Sequence, residues 1–123
     1  MVAAAVHSSI TLRDETQNVA ANHYLYIPVQ PPYNGNLNVT LAVVRGNPLD
    51  VFLVDSGELD ALKRTNDWRV IQGNANFSAR KTATYQRTAP IEQGNYFLIL
   101  RDTSLGIFSQ SASDVSVKVV LNP

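Results

Sequence analysis

Four acids crowd the stretch DVFLVDSGELD at residues 50–60: Asp50, Asp55, Glu58 and Asp60. Carboxylates are oxygen donors for calcium, and a pair of them can act as general acid and base. Spacing separates such chemistry from plain structure. A calcium loop of the EF-hand type alternates its acids and has glycine sixth, whereas DSGELD has glycine third. Asp50 and Asp55 are five apart, so on one strand their side chains leave opposite faces and cannot share a compact site. The favoured reading is structural. Asp50 follows the Asn47–Pro48 turn and takes a nearby donor, and Asp55 opens an Asp-Ser-Gly turn whose backbone N–H groups its carboxylate binds.

Other chemistries find little footing. The absence of cysteine excludes thiolate zinc sites, a cysteine nucleophile and disulfides. Of the two histidines, His7 lies in the opening segment and His23 heads a strand. No G-x-S-x-G elbow accompanies them, so both read as structural, and two histidines without cysteine make a poor transition-metal set. GNPLDV and GNANFS lack Walker spacing. Glycoside hydrolysis needs a deep cleft between its carboxylates, and the longest non-strand stretch is residues 56–67. The sequons at Asn38 and Asn76 are expected by chance in so Asn-, Ser- and Thr-rich a chain, and Asn38 falls in mid-strand. No catalytic residue, metal ligand or cofactor is assigned.

Ten basic residues balance ten acidic ones, which disfavours nucleic acid as a partner. No apolar run is long enough to insert in a membrane. The length suits one domain, residues 1–123.

Period-two alternation marks the elements. Leu37, Val39, Leu41 and Val43 share a face in GNLNVTLAVV, as do Val115, Val117, Val119 and Leu121 in DVSVKVVL. DVFLV and NYFLILR are apolar on both faces. HYLYIPV holds Pro28, which cannot donate to a ladder and so predicts an edge. SSITLRD reads as a first strand with Ile10 and Leu12 inward. SGELDALKR predicts a helix of one or two turns with Ser56 as N-cap. Turn signals recur at QPPYNG, RGNP, DSG, QGNAN, EQGN and SQSAS. Together they predict an all-β, jelly-roll-like antiparallel sandwich of seven to nine strands, its core on Leu37, Val39, Leu41, Val43, Val51, Leu53, Leu98, Leu100, Val117 and Val119.

The succession ITLRDETQNVAANHYLYIPV, GNLNVTLAVV, LDVFLVD, GNYFLIL and DVSVKVVLNP resembles GOLD-type domains and bacterial pre-peptidase C-terminal domains. The resemblance implies a short first strand, an acidic turn at Asp14 and Glu15, and a sandwich that binds or spaces rather than catalyses. Calcium ligands of some such domains cluster near the N-terminus, where only Asp14 and Glu15 stand, so none is carried over. The opening MVAAAVHSSI lacks the charged and long apolar regions of a signal peptide. With the resemblance, it favours an extracellular or periplasmic segment of a longer exported chain, a cytoplasmic place being the alternative.

FSARKTATYQR alternates as one strand, with Ser78, Arg80, Thr82, Thr84 and Gln86 on one face. Lys81 falls among the apolar residues of the other, where an inward charge would guard an edge. Arg80, Lys81, Thr82, Thr84 and Gln86, beside Trp68, Arg69 or Tyr33, form the candidate groove for a protein or glycan ligand. The alternatives for this row and for Trp68 are a solvated sheet face and a core plug. As functions, a self-associating structural subunit and a small carboxylate-dependent hydrolase stand behind the binding or spacer module. Because the acids of residues 50–60 lack a calcium spacing, a thermal melt with calcium and one with chelator should give the same midpoint. A rise of many degrees with calcium would reveal a native-state site.

Overall fold

Apolar residues at every second position close into two facing sheets. The computed structural model describes residues 8–102 and 112–123; His7 and most of SQSAS lie outside them. The elements run β1 (Ile10–Val19), β2 (Tyr24–Val29), β3 (Gly35–Arg45), β4 (Leu49–Asp55), α1 (Ser56–Thr65), a 3-10 turn (Trp68–Val70), β5 (Ala79–Thr82), β6 (Thr84–Ile91), β7 (Tyr96–Arg101) and β8 (Ser113–Asn122). One sheet has the order β1-β8-β3-β6 and the other β2-β7-β4-β5, with every pairing antiparallel. This is the expected sandwich, with eight strands and one α-helix among the described residues. None of the described helices is long and apolar enough to cross a membrane.

Nine of the ten residues named for the core are buried, and Val43 is half-buried, where β3 shifts register against β8. At the start of β4 the chain turns through Gly46, with φ 105°; a Cβ there would lie 2.5 Å from the Cα of Ser113. Only glycine suits both the conformation and the close approach.

Edges carry most of the departures from expectation. The first strand runs unbroken through Asp14 and Glu15, with no acidic turn. Arg13, Glu15 and Gln17 sit opposite Val119, Val117 and Val115, in positions that alternation gives to the core. They satisfy one another: Gln17 Nε2 donates to Glu15 at 2.6 Å, Arg13 pairs with Glu15 at 3.3 Å, and Arg13 Nε donates to the Pro28 carbonyl at 3.0 Å. That last bond ties β1 to β2, the edge strand that Pro28 predicts.

The stretch expected as one strand at 77–87 is two. Lys81 adopts a left-handed φ of 48°, and a bend at Ala83 separates β5 from β6. The chain thereby leaves the edge of one sheet for the edge of the other, as corner strands of sandwiches do. Asp50 secures the corner by accepting the Lys81 N–H at 2.9 Å. Lys81 is exposed rather than inward. An inward register position does carry a charge, but it belongs to Arg87, opposite Val39, whose guanidinium turns back over the Tyr85 ring at 5.2 Å.

The helix is longer than predicted, at ten residues. Asp55, not Ser56, caps it by accepting the Glu58 N–H at 2.8 Å. Asn66, left-handed at φ 51°, closes it with its N–H on the Leu62 carbonyl. Helices this short persist through tertiary packing; here Leu59 and Leu62 are buried with Val54 and Ile99 on the outer face of the second sheet. Each buried leucine contributes about 1.5–3 kcal/mol. In the main core, Leu41→Ala should cost about 2–5 kcal/mol in a urea melt. Val44→Ala, at a position 67% exposed, should change stability by less than about 0.5 kcal/mol.

Candidate functional site

The acids of residues 50–60 are dispersed by the fold into separate structural tasks. Asp50 holds the β5 corner and Asp55 caps α1. Glu58 accepts the backbone N–H groups of Gln72 and Gly73 at 2.8 and 2.9 Å, fastening the segment after the 3-10 turn to the helix. Asp60 is exposed on α1. Among the described residues no three acids or histidines gather where they could hold a metal.

What this scaffolding positions is an aromatic face. On the outer side of the second sheet, Tyr24 and Tyr26 of β2, Phe97 and Arg101 of β7 and Phe52 of β4 point away from the main core, because their neighbours in sequence point into it. The Asp55 cap and the Glu58 tether bring Trp68 down onto that face. Its ring meets Tyr24 edge-on at 5.0 Å and Phe52 at 6.0 Å. The Arg101 guanidinium lies over it at 4.1 Å. Beside this group Tyr26 meets Phe97 edge-on, and Lys63 sits over the Tyr26 ring at 4.3 Å. Asp67 caps the 3-10 turn and grips Arg69, whose side chain and backbone N–H hold the Asp67 carboxyl below its ordinary range.

Between these groups opens a depression of about 280 Å³, lined by Asn22, His23, Tyr24, Asn66, Trp68 and Arg101. It has an aromatic wall and a rim of amides, an imidazole and a guanidinium. Two of its residues, Asn22 and Asn66, are left-handed, with φ 59° and 51°; asparagine takes that conformation more readily than most residues. A wider depression at Asn34–Asn36 and Pro90–Glu92 has no aromatic lining.

Of the residues proposed for the ligand groove from the sequence, Trp68 alone lies in the aromatic depression. Arg80, Lys81 and Thr82 sit on the edge of the second sheet, and Thr84 and Gln86 on the edge of the first, so the corner at Lys81–Ala83 prevents a single polar row. Tyr33 is buried, its hydroxyl donating to the Ser8 carbonyl. Sequence reasoning passed over Asn22, Tyr24, Asn66 and Arg101, and treated His23 as structural. Their signal was faint: Tyr24 is an outward residue of an edge strand, and Arg101 ends an otherwise apolar strand.

No protein-family model matches the chain, and neither does any curated protein. Among solved structures it is similar to the pre-peptidase C-terminal domain of a collagenase from Bacillus anthracis, with a TM-score of 0.55. That match is 11% identical and covers 86% of this chain and 88% of the other. The likeness is one of fold. The carbohydrate-binding module CBM36, solved with calcium and xylotriose, covers 93% of this chain and 98% of its own at 15% identity, but its TM-score of 0.38 does not establish a shared fold.

If the Asp55 cap seats Trp68, Asp55→Ala should cost about 0.5–2 kcal/mol. Trp68 is the sole tryptophan, so a urea melt followed by fluorescence reads the cost, and the native emission maximum should shift as the ring loosens. An unchanged midpoint and spectrum would show that the cap does not seat it.

Proposed function

We propose that residues 1–123 are one non-catalytic carbohydrate-binding module of the GOLD-type and pre-peptidase C-terminal-like kind, carried by a longer exported protein. The observation that supports this is the juxtaposition of Trp68 and Tyr24 with Asn22, His23, Asn66 and Arg101 in one open depression. An aromatic ring offers apolar area to the C–H face of a sugar, and amides satisfy its hydroxyls, a division of labour common in binding sites. The depression holds no pair of carboxylates to act as acid and base. Self-association by sheet extension is the weaker reading, since three edge strands are blunted against pairing with another chain and the fourth is too short for a long pairing. Arg13 and Glu15 guard β1, Pro28 interrupts β2, β5 has only four residues, and Arg87 and Pro90 guard β6.

A second reading keeps a protein ligand. The outer edge of β5 has no partner strand and presents the exposed Arg80 and Lys81, with Thr82, Thr84 and Gln86 continuing round the corner. An extended peptide could add there, the two cations setting its orientation.

The experiment is a titration of gluco-, xylo- and galacto-oligosaccharides, neutral and uronate-bearing, followed by Trp68 emission and by calorimetry. At least one should bind, and Trp68→Ala should lose that binding while keeping a cooperative melt. A panel without any response sinks the carbohydrate reading. Peptide binding lost in the double variant Arg80→Glu, Lys81→Glu, but kept in Arg45→Glu, Lys118→Glu, would establish the second reading instead.

A further inference from the structure

Resting on the carbohydrate reading, we propose that the depression selects an acidic sugar, with Arg101 binding the carboxylate of a uronate while Trp68 and Tyr24 receive its ring.

Arg101 differs from the other cations of the chain in its setting. It is half-buried in a concave site, whereas Arg64, Arg80, Lys81 and Lys118 stand exposed. Its guanidinium carbon lies over the Trp68 ring, 4.1 Å from the centroid. A cation–π contact of this kind uses the positive charge over the ring, and an arginine so held can still offer N–H donors to a ligand. No acid of the described residues forms an ion pair with it. The ion pairs among the described residues join Arg13 to Glu15, Arg45 to Asp114 and Arg69 to Asp67. Residues 1–7 and 103–111 contain no Asp or Glu, so the rest of the chain supplies no carboxylate either.

Two acids lie near Arg101 along the backbone, and both are otherwise engaged. Asp50 is its register partner on β4, but its carboxylate is buried and takes the Lys81 N–H. Asp102 follows directly and points to the other side of the sheet, where Asn47 Nδ2 donates to it at 3.2 Å. His23 is held by the Ala21 carbonyl at 2.7 Å. The depression therefore presents one guanidinium outside the ion pairs of the described residues, a planar fork that fits a carboxylate in bidentate fashion.

The remaining lining favours a sugar over a peptide as the bearer of that carboxylate. Asn22 and Asn66, which line the depression with the two rings, offer amides, each able to donate and accept. That arrangement suits a ring carrying several hydroxyls. A peptide would add along an edge strand, and the edge strand at this depression, β2, is interrupted by Pro28.

The test compares oligogalacturonides with neutral galacto-oligosaccharides of equal length, by calorimetry and Trp68 emission. The uronate should bind about tenfold or more tightly, the usual worth of a hydrogen-bonded charge, and the preference should shrink as salt is raised. Arg101→Gln should erase the preference, lowering uronate affinity at least about tenfold more than it lowers neutral-sugar affinity. Arg101→Lys, which keeps the cation and tolerates the stack, should fall between the two, and it replaces Arg101→Gln if that variant fails to melt cooperatively. Equal affinity for acidic and neutral sugars overturns acid selection and leaves the carbohydrate reading standing. Failure of every sugar to bind overturns both. Tighter binding of a peptide carboxylate than of the uronate, lost in Arg101→Lys, overturns the sugar as its source.

Discussion

Strands β4 and β7 are apolar on both faces, and a two-layer sandwich shields only one of them. Val54 and Ile99 would stand in water unless something covered the outer side of the second sheet, at a cost of about 1.5–3 kcal/mol for each side chain. Leu59 and Leu62 of α1 supply that cover. Because the helix must lie on this face, the chain that leaves it passes over the end of the same sheet, and the 3-10 turn sets Trp68 beside Tyr24, Phe52 and Arg101. The candidate site is thus a by-product of where the second apolar cluster needs protection.

Polar side chains make that placement definite. Hydrophobic burial is non-directional and would let a ten-residue helix slide on the sheet. Asp55 fixes the start of α1 and Asn66 its end, while Glu58 ties the helix to Gln72 and Gly73. On the opposite sheet Asp114 does related work, taking Asn18 and Arg45 into one link across β1, β8 and β3. Those two donors, Asn18 first and then Arg45, hold its carboxyl below the ordinary range. Tyr85 belongs to the interior, where its hydroxyl donates to the Phe77 carbonyl at 2.6 Å and burial pushes its ionisation upward.

The two faces of the sandwich therefore differ in kind. The outer side of β1-β8-β3-β6 presents Thr16, Asn36, Thr40, Thr84, Gln86, Thr88, Ser116 and Lys118 to water, a polar sheet face without aromatic side chains. The ring–ring contacts of Tyr24, Tyr26, Phe52, Trp68 and Phe97 all lie on the outer side of the other sheet. The second face alone combines aromatic rings with a lined depression among the described residues.

Alternation determined much of this protein before any coordinates. Leu37, Val39 and Leu41, like Val117 and Val119, must share a buried face because a strand repeats every two residues, and the two-faced runs DVFLV and NYFLILR had to be central strands. Pro28 marked its edge for want of an N–H, and the failed calcium spacing at residues 50–60 already favoured structural roles for those acids. Tertiary structure alone decided the rest. The break at Lys81 depends on a sheet-to-sheet corner held by Asp50, thirty-one residues away, and no local pattern records it. The length of α1 depends on Val54 and Ile99 beneath it, not on helix propensity. The meeting of Asn22, Tyr24, Asn66, Trp68 and Arg101 joins three separate segments, each unremarkable by itself, through contacts that only folding creates.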